Sequence, residues 1–225
     1  MSLILNIETS TKSCSVAASK EGELISLKEV SGEKYQHNEF LYSFINEALD
    51  EAKIKMKDLN AVAISEGPGS YTGLRIGTST AKGICHGLNI PLIAVSTLES
   101  LANLVDVSTD FICPMLDARR MEVYSAIFDN NLNLLEETEA IEVDKDFRAD
   151  YLEKGKVTFI GDGVRKCSET IIHNNANLIL DREASAKGMI SLSYKKFSNQ
   201  DFADLAYFEP YYLKDFVAGT PKKIF

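Results

Sequence analysis

The segment Glu66-Gly67-Pro68-Gly69-Ser70 follows a short apolar run and precedes a helix-like pattern. At such a junction, backbone N–H groups and the helix dipole can hold an anion. Spacing excludes two phosphate loops. No Gly-Lys-Ser/Thr ends the segment, so it is not a Walker A loop. Gly67, Gly69 and Gly73 read GxGxxxG rather than GxGxxG, and the strand ahead is the fourth, not the first. The plain alternative is that Gly67 and Gly69 allow a tight turn. A second pair, Gly161 and Gly163, stands in a similar place later in the chain. Glu8 and Asp117 end two strand candidates, where a split nucleotide fold would place metal or phosphate contacts. Each could equally cap the turn after it. Arg119 and Arg120 follow Asp117, with Glu122 close by, which suits a salt-bridged hairpin at least as well as an active site.

Other chemistry is poorly supported. His37, His86 and His173 show no HxxxH or HExxH spacing, and Cys14, Cys85, Cys113 and Cys167 include no CxxC. No metal ligand set is expected, and the scattered thiols suit a reducing, cytoplasmic setting. No GxSxG elbow supports a hydrolase of that type.

The elements that must position these residues follow from periodicity. Residues 3–7, 13–18 and 23–28 read as strands, with a hairpin turn at Lys20-Glu21-Gly22. Phe40, Leu41, Phe44, Ile45, Ala48, Leu49 and Ala52 recur at helical spacing and predict a helix over residues 36–53. A strand at 61–64 leads into the glycine loop, a helix at 71–86 follows, then a strand at 91–95 and a short helix at 97–104. The second half repeats the order: strands at 112–116, 122–128 and 133–138, a strand at 157–160, a helix at 164–173, a strand at 178–180 and a helix at 185–197. In the helix at 71–86, Gly73, Gly77 and Ala81 form a stripe of small residues. Glycine within a helix costs about 1 kcal/mol relative to alanine. Close approach of another helix, either that at 36–53 or one from another chain, would offset it.

A shift of 109 residues lays residues 3–8 over 112–117 without a gap and matches Glu8 to Asp117. This predicts a duplicated α/β unit, with lobes at residues 1–108 and 109–225, each a mixed sheet with helices packed on it. The whole chain is 225 residues with net charge −9, and the halves carry −5 and −4. Neither half is basic, so autonomous salt-driven binding of nucleic acid is disfavoured. No run approaches the roughly 20 apolar residues that a membrane helix needs.

Four segments together resemble the TsaB (YeaZ) family: residues 5–10, 66–77, 117–124 and 209–213, with the Gly-Pro-Gly-Ser-Tyr-Thr-Gly-Leu-Arg run and Asp117-Ala118-Arg119-Arg120 the most specific. The resemblance covers nearly the whole chain and implies a duplicated actin-like (ribonuclease H-like) fold. It implies a non-catalytic pseudo-enzyme that supports the catalytic subunit TsaD, together with the ATPase TsaE, in making threonylcarbamoyladenosine in tRNA. The chain would touch tRNA only through that complex and would form a homodimer when isolated. TsaD-like chains carry two metal-binding histidines four residues apart; the matching positions here hold Thr97 and Leu101. The resemblance implies an interface at Phe40, Phe44, Tyr71, Thr72, Gly73, Leu74, Arg75, Gly77 and Thr78. It also implies a vestigial nucleotide loop at Glu8, Gly67, Gly69, Ser70, Asp117, Gly161 and Gly163, with no catalytic residue and no cofactor. The rival expectations are an independent ATP-dependent kinase of the same fold group and a glycoprotease-like peptidase.

Overall fold

The computed structural model describes residues 2–32, 37–180 and 182–214. The first sheet contains β1 (Leu3–Glu8), β2 (Cys14–Lys20), β3 (Glu23–Val30), β4 (Ala61–Gly67) and β5 (Leu92–Ser96). Its order is β3-β2-β1-β4-β5. β1 runs antiparallel to β2, from Leu3↔Lys20 to Glu8↔Ser15, and parallel to β4. The second sheet contains β6 (Phe111–Asp117), β7 (Glu122–Asp129), β8 (Leu134–Glu142), β9 (Val157–Ile160) and β10 (Ala176–Ile179). It reads β8-β7-β6-β9-β10, with the same sequence of antiparallel and parallel pairs. The predicted duplication is therefore present in the topology, and Glu8 and Asp117 occupy equivalent strand ends.

The helices are α1 (His37–Ala52), α2 (Tyr71–Leu88), α3 (Thr97–Ala102), α4 (Ala149–Lys154), α5 (Val164–Cys167) and α6 (Ala186–Ser198). Alternation along the central strands separates two cores per chain half. Leu5, Ile7, Val62 and Ile64 face Leu41, Ile45 and Leu49 of α1 and Ala81 and Cys85 of α2. Ile4, Ala17, Ala63 and Val95 point the other way, onto Ala186, Met189 and Ile190 of α6. A fully buried leucine or isoleucine contributes roughly 1.5–3 kcal/mol, so these two faces hold the first sheet between its helices. In the second sheet, Cys113, Met115 and Phe159 face Tyr151 of α4 and Val164 of α5, while Ile112, Leu116 and Phe128 face Leu98 and Leu101 of α3.

The halves thus exchange helices: α3 packs on the second sheet and α6 on the first. The two helices meet where Asn103 donates to Gly188 O at 2.7 Å. A Cβ at Gly188 would lie 2.2 Å from Ser100 O, so only glycine permits this approach.

One expectation needs correction, one helix was not expected, and one predicted bound lies outside the described residues. The helix read at 164–173 is four residues long, because Ser168, Glu169 and Thr170 close a turn after it. Ile171 then reaches the core from that turn, with its N–H on Cys167 O at 3.0 Å. The helix at Ala149–Lys154 carries no sequence expectation; it starts from Arg148 at φ +58°. The helix read at 36–53 is described from His37, and Gln36 lies outside the described residues.

Candidate functional site

The glycine loop is closed by its own chain. Gly67 has φ +115°, and its N–H donates to Thr97 Oγ1 at 3.1 Å. Ser70 N donates to Ser10 O at 2.5 Å. A Cβ at Gly69 would lie 2.4 Å from that same Ser10 carbonyl. Ser70 Oγ caps α2 by accepting from Gly73 N at 3.3 Å, and Leu74 N reaches Ser70 O at 2.9 Å. On the outer side, Tyr211 N donates to Glu66 O at 2.7 Å, and a Cβ at Gly67 would lie 2.6 Å from Tyr211 O. The amides of Gly67, Ser70, Gly73 and Leu74 all have internal acceptors, at the helix end where an anion would otherwise be held.

Beside this loop, Glu8 is wholly buried. Its Oε1 accepts from Ser10 N at 2.6 Å and from Ser65 Oγ at 3.0 Å. Burial pushes its carboxyl above the usual range despite those donors.

The second half is arranged differently. Gly161 has φ +124°, and a Cβ there would meet Met115 O at 2.2 Å. Gly163 N donates to the same carbonyl at 3.0 Å. Asp162 accepts from Asp117 N at 2.8 Å. Its carboxyl is pushed up to about 6, first by burial and then by the nearby Glu183 and Asp117. Asp117 is exposed and pairs with Lys166 at 2.5 Å. Glu122 pairs with Lys214 at 2.5 Å. The hairpin carboxylates are therefore held by lysines from elsewhere in the chain. Arg119 and Arg120, both exposed, form the turn itself at φ +72° and +50°.

The expected interface residues divide between two faces of α2. Gly73, Leu74, Gly77 and Thr78 point inward. Thr9 Oγ1 donates to Gly73 O at 2.9 Å, and a Cβ at Gly77 would lie 2.2 Å from Thr9 Oγ1 and 2.8 Å from Ile64 Cδ1. At Gly73 and Gly77 the buried stripe of small residues thus receives the first sheet and the loop after β1. These four residues offer no docking surface. Thr72 and Arg75 point outward, with Ser79, Gly83 and Gly87 further along. Nothing lies within 4 Å of a Cβ at Gly83 or Gly87. Arg75 stands 4.6 Å from the centroid of the Tyr71 ring. On α1, Phe40 and Phe44 stack at 5.4 Å and, with Ile76, Ile84 and Leu88, form the part-buried rim of the first core. Tyr42 is 76% exposed.

The positions matched to metal histidines are occupied structurally: Thr97 receives Gly67 N, and Leu101 is in the core of the second sheet. Among the described residues, no group of three or more histidine, cysteine or acidic side chains is placed to hold a metal. Sequence reasoning gave no role to Ser10, Asp162 and Lys166, and met Thr97 only as a position matched to a metal histidine. Tyr211 and Tyr212 were visible only as part of a recognisable segment. A cavity of about 720 Å³ lies between the halves, lined by Glu66, Glu99, Phe128, Leu134, Glu137 and Tyr211. Burial raises the carboxyls of both Glu66 and Glu99.

The family model for TsaD, tRNA N6-adenosine threonylcarbamoyltransferase, matches residues 32–218. The tRNA threonylcarbamoyladenosine biosynthesis protein TsaB of Buchnera aphidicola subsp. Schizaphis graminum is 36% identical over 170 residues, covering 73% of this chain and 80% of that protein. The chain belongs to the TsaB (YeaZ) family. The TsaB protein of Escherichia coli is 29% identical over 226 residues, 96% of each chain. That of Bacillus subtilis is 34% identical over 134 residues, 60% of this chain and 58% of that protein. Among solved structures, YeaZ from Pseudomonas aeruginosa superposes with a TM-score of 0.82 at 24% identity, over 95% of this chain and 100% of that one. The Clostridium difficile activator of 2-hydroxyisocaproyl-CoA dehydratase, solved with ADPNP, gives 0.51 at 11% identity, over 90% of this chain and 98% of that one. At such identities the likeness concerns the fold alone, a duplicated actin-like fold.

Proposed function

We propose that this chain works in tRNA threonylcarbamoyladenosine synthesis as a non-catalytic subunit that binds and activates TsaD, with TsaE joining the pair. The observation that carries the reading is the outer face of the α1–α2 pair. It combines stacked, part-buried Phe40 and Phe44 with Arg75, Tyr71 and the exposed small residues Ser79, Gly83 and Gly87. Small residues on an outer helix face let a partner helix approach closely, and aromatic and arginine side chains supply the anchors that dominate association. The engaged amides of the glycine loop agree with a lost nucleotide site. The isolated chain would use the same face to form a homodimer, and the −9 charge suits a protein that meets tRNA through its partners.

Reconstitution tests the reading. Purified chain alone should transfer no threonylcarbamoyl group to tRNA, and adding it to TsaD and TsaE should switch modification on. Gly83→Arg places a long cation on the outer face without touching the sheet. It should weaken TsaD binding by about tenfold or more in titration calorimetry, while the thermal midpoint stays near the parent value. Transfer by the chain alone, or undiminished binding by Gly83→Arg, would refute the proposal. Micromolar binding of ATP and magnesium by the isolated chain would favour the kinase reading instead.

A further inference from the structure

Among the described residues after α6 there is no long regular element, yet their path is fixed by five separate contacts. Ala203 N donates to Leu92 O at 2.9 Å, adding one antiparallel bridge to the free edge of the first sheet. Ala203, Leu205 and Phe208 pack on the core beneath α1 and α2. Lys82 of α2 then donates to the carbonyls of Ala206 and Phe208 at 3.2 and 3.1 Å. Tyr211 closes over the glycine loop through Glu66 O, and the Tyr212 ring stands 4.7 Å from that of Tyr71. Finally Lys214 crosses to the second half. It pairs with Glu122 at 2.5 Å and lies 5.8 Å from the centroid of the Tyr124 ring.

The segment therefore touches, in four residues, both loops that a split nucleotide fold would use: the glycine loop of the first half and the Asp117–Glu122 turn of the second. We propose that residues 203–214 are a latch that holds these two loops in one closed arrangement, coupling the first lobe to the second at the mouth of the cleft between them. Three features suit a latch better than a passive tail. Its hydrogen bonds to Lys82 of α2 and to Glu66 at the glycine loop are made by its backbone groups, so they fix position rather than side-chain identity. Its only sheet pairing is a single bridge, so release requires little unzipping. Its contact to the second half is an ion pair at a partly exposed site, which opens easily. The proposal concerns the chain alone and shares with the partner face proposed above one residue, Tyr71.

Amide hydrogen exchange on the full-length chain tests it, because the two ends of the latch can be cut separately. Tyr212→Ala removes the ring contact to Tyr71 of the first lobe, and Lys214→Ala removes the contact to the second. A latch makes each substitution speed exchange in both loops together, at residues 67–74 and 117–122. The change should be about tenfold for Tyr212→Ala and about threefold for Lys214→Ala. Exchange in β1 should stay within about twofold of the parent, as expected when opening is local and not global. Acceleration only in the loop next to each substitution, or no acceleration, overturns the proposal. Should Tyr212→Ala raise exchange in β1 as well, Lys214→Ala decides the matter, since it alters only a partly exposed side chain. Reversing the pair, with Lys214→Glu and Glu122→Lys together, should restore slow exchange in both loops.

Discussion

The two glycine loops hold the same place in the duplicated fold, yet the chain treats them in opposite ways. The first, at Gly67–Ser70, opens the 18-residue helix α2, has the amides of Gly67 and Ser70 engaged by Thr97 and Ser10, and is covered by Tyr211. The acid of its lobe, Glu8, is wholly buried. The second, at Gly161–Gly163, opens the four-residue helix α5 and keeps two carboxylates, Asp117 and Asp162, beside each other near Lys12 and Lys166. One copy has a filled loop and a long helix with an exposed outer face. The other has kept a polar, part-open corner and almost no helix.

The largest effects should come from the glycines that both copies use for close packing. Gly77→Val puts atoms where Thr9 Oγ1 and Ile64 Cδ1 already lie, and Gly161→Ala meets the Met115 carbonyl in a left-handed conformation. Each should cost about 3 kcal/mol or more, because strain and overpacking act together. Thermal or urea unfolding would register this as a large fall in midpoint or as loss of soluble protein. If Gly77→Val were tolerated, α2 would not be seated on the first sheet as described. For the same reason a charge at Gly77 tests folding, whereas one at Gly83 tests association.

The acids should separate the copies next. A carboxyl whose folded pKa is raised gives up its proton later in the folded chain than in the unfolded one. Stability therefore falls as pH rises from the ordinary aspartate range, near 3.8, to about 6, and stays lower above that. Asp162→Asn keeps an oxygen to accept from Asp117 N and removes the charge. It should raise stability at pH 7.5 by about 1–2 kcal/mol. The gain should vanish below about pH 4. Unfolding midpoints of parent and variant across that range supply the check, and equal midpoints at pH 7.5 would mean that Lys12 and other charges already compensate Asp162. Glu8→Gln carries the same sign, since burial raises that carboxyl too.

Much of this was legible in the sequence for definite reasons. The 109-residue offset matched Glu8 to Asp117, and strands of four to nine residues with clear turn signals gave the sheets. The stripe of Gly73, Gly77 and Ala81 correctly announced a close approach, but spacing within one helix cannot say what approaches it. Here it is Thr9 and Ile64, 68 and 13 residues away in sequence from Gly77. Leu74 and Thr78 share that buried side by helical geometry, so the outward surface falls to Thr72, Arg75 and Ser79. The helix α4 escaped notice because its six residues begin after a left-handed Arg148 and have no cap signal. Residues 203–214 have no periodicity at all. Their order comes from contacts to distant partners, which a single sequence does not record.

The smallest effect is also the most discriminating between the two faces of α2. Gly83 is helical and exposed, and a Cβ there meets nothing within 4 Å. In the isolated chain, Gly83→Ala should therefore stabilise by about 0.5–1 kcal/mol through reduced backbone freedom of the unfolded state. The opposite sign is expected for association, because one methyl group on a face that seats a helix at close range holds the partner away. A raised thermal midpoint together with weaker TsaD binding would place a close helix contact at Gly83. A raised midpoint with unchanged binding would move the contact toward Phe40, Phe44 and Tyr71, leaving the far end of α2 to solvent.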